Sequence, residues 1–197
     1  MKILTRLIII SLVLGLASWV LIQVPSVQDR ILVAAFSAIG SASNNLPKED
    51  ALSAAVCGSR SPLPSPGRAE TCLLIAAGDD LFVVDIGDGS NDNLRSWNIN
   101  FRNIKAVLIT HLHSDHIADL PGLHQNAWVV GQRSSKLKVF GPEGIEQLTQ
   151  GVEMAYAHDY VFRNEHHGDE IAPLEYAGFD TNIICLLYTS DAADDRM

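Results

Sequence analysis

A chain of 197 residues with a formal net charge of −9 has room for one ordinary domain and a short accessory segment, and it carries no global positive field to gather a phosphate backbone. Hydrophobic residues at 47% against charged residues at 19% exclude a disordered chain. Three cysteines, Cys57, Cys72 and Cys185, form no CxxC pair and no even set, which leaves neither a zinc knuckle nor a disulfide scaffold signalled.

In chain order, Lys2 and Arg6 precede a mostly apolar run over residues 7–24. As a helix that run extends about 27 Å, close to the hydrocarbon thickness of a bilayer. The pattern predicts a membrane anchor within residues 1–30. A signal peptide is the alternative, but its apolar region is shorter and is followed by a small-residue cleavage site, whereas Pro25-Ser26-Val27-Gln28 follows here. Positive charge ahead of the span sets the expectation of a bacterial inner-membrane protein with its domain facing the periplasm, or a secreted one if the leader is cleaved. Residues 31–50 read as an interfacial helix and then a linker.

The expected domain covers residues 51–184. A strand at 51–57 runs into a loop at 58–67, where Pro62, Pro64 and Pro66 forbid a helix. Strands at 71–76 and 81–85 form a hairpin around Gly78, and a short helix follows at 91–97. Residues 105–110 read as a buried strand, being too evenly apolar for a half-exposed one. A helix at 120–130, a strand at 137–140 and a helix from Pro142, with Ile145, Leu148, Val152 and Tyr156 at helical spacing, complete an alternating α and β pattern. Cys57 and Cys72 flank one loop; two buried thiols are the simpler reading and a bridge the alternative. Residues 185–197 have neither strand alternation nor helix capping and resemble the in-frame translation of a sequencing adapter, so they are set aside from fold reasoning. Removing the net −2 of their three acids and one base leaves −7.

The chemistry is concentrated in His111-Leu112-His113-Ser114-Asp115-His116, directly after the buried strand. Imidazole nitrogens and a carboxylate oxygen are ligands that zinc accepts, and a turn at a strand end aims alternate side chains into one cleft. The split expected is His111 and His113 on one ion, Asp115 and His116 on a second. Asp115 is also the candidate catalytic residue.

Thr110 to Ile117, followed by Leu120-Pro121-Gly122-Leu123, resembles the metallo-β-lactamase superfamily, in its branch of ribonuclease Z and arylsulfatase-like hydrolases. Gly58-Ser59-Arg60-Ser61-Pro62 is similar to that branch's first loop, Val84-Asp85-Ile86-Gly87-Asp88-Gly89 to its strand-end aspartate loop, and Phe140-Gly141-Pro142-Glu143-Gly144 to its Gly-Pro turn. The resemblance implies an α+β fold, the αββα four-layer sandwich, present here as an incomplete N-terminal fragment. It implies two Zn2+ ions and a bridging hydroxide that attacks the substrate while both ions stabilise developing charge. His111, His113, Asp115 and His116 carry over as metal ligands. Asp85 carries over as the group that orients the histidine loop, or else caps its own turn, and Asp119 stands in the same position.

The family pattern also requires a later histidine, an aspartate and a final histidine, expected beyond Ile184. His158, His166 and His167 read as surface histidines, and His124 as packed beside Trp128 or exposed. The leading expectation is a membrane-anchored, metal-dependent hydrolase of a small ester or phosphodiester, present as an inactive fragment, with nucleic acid excluded as a partner by the acidic charge. A ribonuclease Z-like tRNA 3′ endonuclease and a non-catalytic remnant are the alternatives.

Overall fold

The structure, a computed structural model, describes residues 2–40, 51–63 and 65–184; the expected linker at 41–50 and the tail at 185–197 lie outside the described residues. The chain divides into two units, Met1–Ala35 and Phe36–Met197. In the first, helices α1 (Lys2–Ile22) and α2 (Pro25–Gly40) are separated by a break at Pro25, which has no backbone N–H to continue the first helix. Segments Ile9–Ile22 and Pro25–Ala35 are bent by 84°. Among the described residues no single helix is long and apolar enough to cross a membrane; the bent pair passes that test jointly, by length and composition. The expected single-span anchor over residues 7–24 is therefore not confirmed.

The second unit is built on one six-stranded sheet in the order β1 (Leu52–Gly58), β2 (Cys72–Ala77), β3 (Asp80–Val84), β4 (Ile104–Leu108), β5 (Leu137–Gly141) and β6 (Phe179–Ile183). The first three strands are antiparallel neighbours, and β3 to β6 are parallel. The β2–β3 hairpin closes with Ala77 opposite Asp80, and Gly78 supplies the positive φ of 59° that this tight turn needs. Parallel neighbours require crossovers, provided by α3 (Ser90–Ser96), by α4 (Ser114–Ile117) with α5 (Leu120–Gln125), and by α6 (Ile145–His167). Because such crossovers share one handedness and each advances to the next strand in order, they cover the same face of the sheet. There Leu74, Leu81, Val83, Val107 and Val139 pack with Leu94, Leu120, Leu123 and Ile145 in one buried core.

The other face carries no helix from these crossovers. Cross-strand partners Val56, Leu73, Val84, Leu108 and Phe140 run in a row across five strands. Leu73, Val84, Leu108 and Phe140 are half-buried, and Val56 remains 64% exposed. The described residues thus form one sheet and one helical layer of a mixed α/β fold, two of the four layers the resemblance implies.

The structure corrects several expectations. Cys57 and Cys72 are bonded, with Cα atoms 4.9 Å apart, because β1 and β2 are adjacent and a bulge between Val56 and Gly58 turns Cys57 toward its partner. The pairing depends on strand register, which the spacing of the two residues does not reveal. The helix expected at 120–130 changes at Asn126 into a five-residue π turn, Asn126–Val130. The next helix starts at Ile145 rather than Pro142, after Gly144 in left-handed backbone at φ 94°, and runs to His167. Strand β6 has no counterpart among the expected elements, since Asp180, Thr181 and Asn182 break any apolar run.

His124, on α5, is buried to 1% exposure beside Trp128, Tyr160 and Phe179, and its Nε2 accepts a 2.9 Å hydrogen bond from the Gly178 amide at the entry to β6. Burial pushes its pKa down from 6.5 to about 4. His124 is thus a packed, neutral core group that ties α5 to the last described strand.

Candidate metal centre

Strand β4 ends at Leu108, and the Ile109 amide donates to Phe140 O at 2.7 Å, so the chain is held in the sheet until just before the histidines. Asp85, just past the end of the adjacent β3, anchors the start of the histidine loop. Its Oδ1 accepts from the Thr110 amide at 2.8 Å, and its Oδ2 accepts from Thr110 Oγ1 at 2.8 Å and lies 2.8 Å from His116 Nδ1. Asp85 is 3% exposed and sits at φ 56°, a left-handed conformation that a non-glycine residue adopts only when its surroundings over-determine it. Three side-chain hydrogen bonds do so here.

These bonds set the tautomers. With Asp85 accepting from His116 Nδ1–H, His116 Nε2 keeps its lone pair and lies 3.5 Å from Asp115 Oδ2. With Thr110 Oγ1 donating to Asp85, its own lone pair accepts from His111 Nδ1 at 3.1 Å, leaving His111 Nε2 free and 3.1 Å from His113 Nδ1. Asp85 therefore orients His116 directly and His111 through Thr110. Sequence reasoning gave Thr110 no role of its own; its signal is a hydroxyl immediately before the first histidine, on the same face as a buried aspartate.

The loop of Asp85 to Gly87 also clamps the backbone of α4. The Ile86 amide donates to His116 O at 2.8 Å, and the Asp119 amide donates to Ile86 O at 3.0 Å. Gly87 lies so close that a Cβ would come within 2.1 Å of Asp115 O, so only glycine fits. The loop is tied in turn to the Pro-rich segment: Gly87 donates to Thr71 O at 3.0 Å, and Arg60 bridges Glu70 and Asp88 at 3.0 and 3.1 Å. Asp119 holds the start of α3 through the Asn91 amide at 3.0 Å, and burial pushes its pKa up. Its carboxylate braces the loop from the far side.

His111, His113, Asp115 and His116 come together in one cluster, with ring centroids of His111 4.6 Å from His113 and 3.9 Å from His116. Burial and then its neighbours His116 and His113 push the His111 pKa down, which favours the neutral imidazole a metal needs. Among the described residues no group of three or more His, Cys, Asp or Glu is arranged to hold a metal ion. The shortest approaches between side-chain donors are His111 Nε2 to His113 Nδ1 at 3.1 Å and His116 Nε2 to Asp115 Oδ2 at 3.5 Å. Imidazole nitrogens and a carboxylate are donors that zinc accepts, so the side-chain chemistry fits a metal. His158 stacks on Phe162 and His166 lies against His167, both contacts running along α6 rather than toward the loop.

The family profile described as the metallo-beta-lactamase superfamily matches residues 65–180. This chain belongs to the metallo-beta-lactamase superfamily. Its members are metal-dependent hydrolases. Ribonuclease Z of Mycobacterium bovis strain BCG is 36% identical over 118 residues, covering 59% of this chain and 42% of the relative. Ribonuclease Z of Mycobacterium sp. strain KMS is 37% identical over 117 residues, covering 59% and 41%. The chain thus spans about two-fifths of the length of the curated relatives it matches. Among solved structures, a long form RNase Z from yeast superposes with a TM-score of 0.51 at 16% identity, over 71% of this chain and 19% of that one, a likeness in fold alone. The short form of human tRNase Z gives 0.49 at 19% identity, over 68% and 46%.

The exclusion of nucleic acid is overturned by the mycobacterial relatives, whose names state an RNA-directed activity. Net charge is a property of the whole chain, whereas a substrate meets the local field of the surface it touches. The charge was moreover counted on a chain matching two-fifths of its relatives' length.

Proposed function

We propose that the histidine loop is one side of a dinuclear zinc site that hydrolyses a phosphodiester bond in RNA, in the manner the name ribonuclease Z states of the relatives. The observation that carries this reading is the approach of His111 to His113 and of His116 to Asp115, with His116 held by Asp85 and His111 by Thr110. The reading of a small ester as substrate is replaced.

His111 and His113 would hold one ion, and Asp115 and His116 the other; when bound, such ions polarise the phosphoryl group and lower the pKa of water. The chain's own residues prepare for that chemistry. Asp85 fixes the His116 tautomer, and Thr110 passes the same constraint to His111. Gly87 lets the aspartate loop press against the Asp115 backbone, which limits movement of that carboxylate. The arrangement is pre-organised because each of these two rings is held by its second nitrogen.

The reading is tested with the product of the full reading frame that contains this chain, loaded with zinc and given a precursor tRNA carrying a labelled 3′ trailer. Endonucleolytic release of the trailer, lost at least 100-fold in His113→Ala, is the expected outcome. Turnover of aryl sulfate or nitrophenyl phosphodiester with no cut in the precursor would set the RNA reading aside.

A further inference from the structure

Cations in the second unit are concentrated away from the histidine loop. Arg102, Lys105, Arg133, Lys136 and Lys138 gather where β4 and β5 begin, in a chain of net charge −9. Strand β4 starts at Ile104, and at about 3.3 Å per residue this end lies roughly 20 Å from the histidines that follow its other end. A concavity of about 330 Å³ opens there, lined by Arg102, Lys105, Gln132, Arg133, Ser134 and Ser135.

Both guanidinium groups in it are held by neutral acceptors. Arg102 donates from Nε to Gly131 O at 2.9 Å and from Nη2 to Gln132 Oε1 at 3.0 Å. Arg133 donates from Nε to Ser135 O at 3.2 Å and from Nη1 to Ile104 O. Neither has a carboxylate within ion-pair distance among the described residues, whereas Lys105 pairs with Asp80 at 3.1 Å. Arg133 is half-buried, and burial pushes its pKa down, as expected of a cation that has lost water without gaining a counter-ion. The bonds to fixed acceptors orient the two planar groups, leaving Arg102 Nη1 and Arg133 Nη2 available to an oxyanion. Ser134 and Ser135 add hydroxyl donors beside them.

We propose that this concavity is a second, non-catalytic anion site that takes a phosphate group, bound by Arg102 and Arg133 and by the hydroxyls of Ser134 and Ser135. The phosphate comes either from a phosphodiester backbone or from free phosphate, and the site stands independently of the RNA reading of the histidine loop.

The test titrates the full chain with inorganic phosphate against chloride at equal ionic strength, with EDTA present so that the histidine loop holds no metal. Phosphate binds in preference to chloride, and Arg102→Gln, at an exposed side chain, weakens it at least tenfold. Ser134→Asp sets a carboxylate at the rim without touching the arginine–carbonyl bonds, and it abolishes binding while leaving the melting temperature within a few degrees. Octauridylate displacing the phosphate assigns the site to an RNA backbone; phosphate that binds and is not displaced assigns it to free phosphate. Binding no tighter than chloride, or undiminished in both variants, overturns the site.

Discussion

Asp85→Ala is expected to cost roughly 3 kcal/mol or more of stability, since hydrogen bonds to a charged group contribute about 1.5–3 kcal/mol each and are not fully additive. Three such bonds meet at this carboxylate, from the Thr110 amide, the Thr110 hydroxyl and His116. Alanine also inherits the left-handed backbone at φ 56° with nothing to hold it there. Against a typical domain stability of about 5–15 kcal/mol, that loss brings the fold close to its limit. Asp85→Asn separates orientation from folding. Its amide oxygen still accepts from Thr110, but its NH2 group faces His116 Nδ1 and favours the wrong tautomer. Zinc affinity is then expected to fall by about 10- to 100-fold with a stability change near 1 kcal/mol. Urea unfolding with zinc titration measures both; an asparagine variant that binds zinc like the parent removes Asp85 from the account of the site.

Acid is expected to destabilise the domain through His124. Its pKa is about 4 in the folded chain and 6.5 as an ordinary imidazole, so the unfolded chain binds the extra proton first. The stabilisation from keeping His124 neutral is complete above pH 6.5, is lost as pH falls toward 4, and falls no further below that. At about 1.4 kcal/mol per pKa unit, the loss is roughly 3 kcal/mol across the window. Protonation also turns Nε2 from acceptor to donor, which leaves the Gly178 amide without its partner. His124→Gln, which can still accept a hydrogen bond, should show a flatter dependence. The check is urea unfolding of both proteins at pH 7 and pH 4.5. Equal pH dependence in the two would show that carboxylates elsewhere, not His124, govern the acid response.

Much of the site was legible because it is local. Four candidate ligands within six residues after an apolar strand state both their chemistry and their placement, and the structure brings all four into one cluster. Asp85 was legible only as a strand-end aspartate. Whether it caps its turn or reaches the histidines depends on β3 and β4 lying side by side, a fact of register that no spacing within either strand contains. The same holds for Cys57 and Cys72, joined across β1 and β2, and for Arg102 and Arg133, which meet only when the turns before β4 and β5 are adjacent. Strand β6 escapes sequence reasoning for a different reason. It lies at the sheet edge with Asp180 and Asn182 on its open side, so its hydrophobic pattern is weak although Phe179 and Thr181 face the helices.

The open row of Val56, Leu73, Val84, Leu108 and Phe140 bears on function as well. It shows that the described strands offer a second apolar surface, of the kind on which a further layer packs. The histidine loop follows the end of β4, at the edge shared by the helical face and this one.

The central claim, that this loop supplies paired donors to two ions, is tested most directly by zinc titration of the chain itself with a chromophoric chelator as competitor. The account predicts weak, micromolar or looser binding of two zinc equivalents, because each ion meets two protein donors, and loss of one of the two equivalents in His111→Ala combined with His113→Ala. Nanomolar affinity, or a zinc stoichiometry unchanged by removal of both histidines, would contradict it.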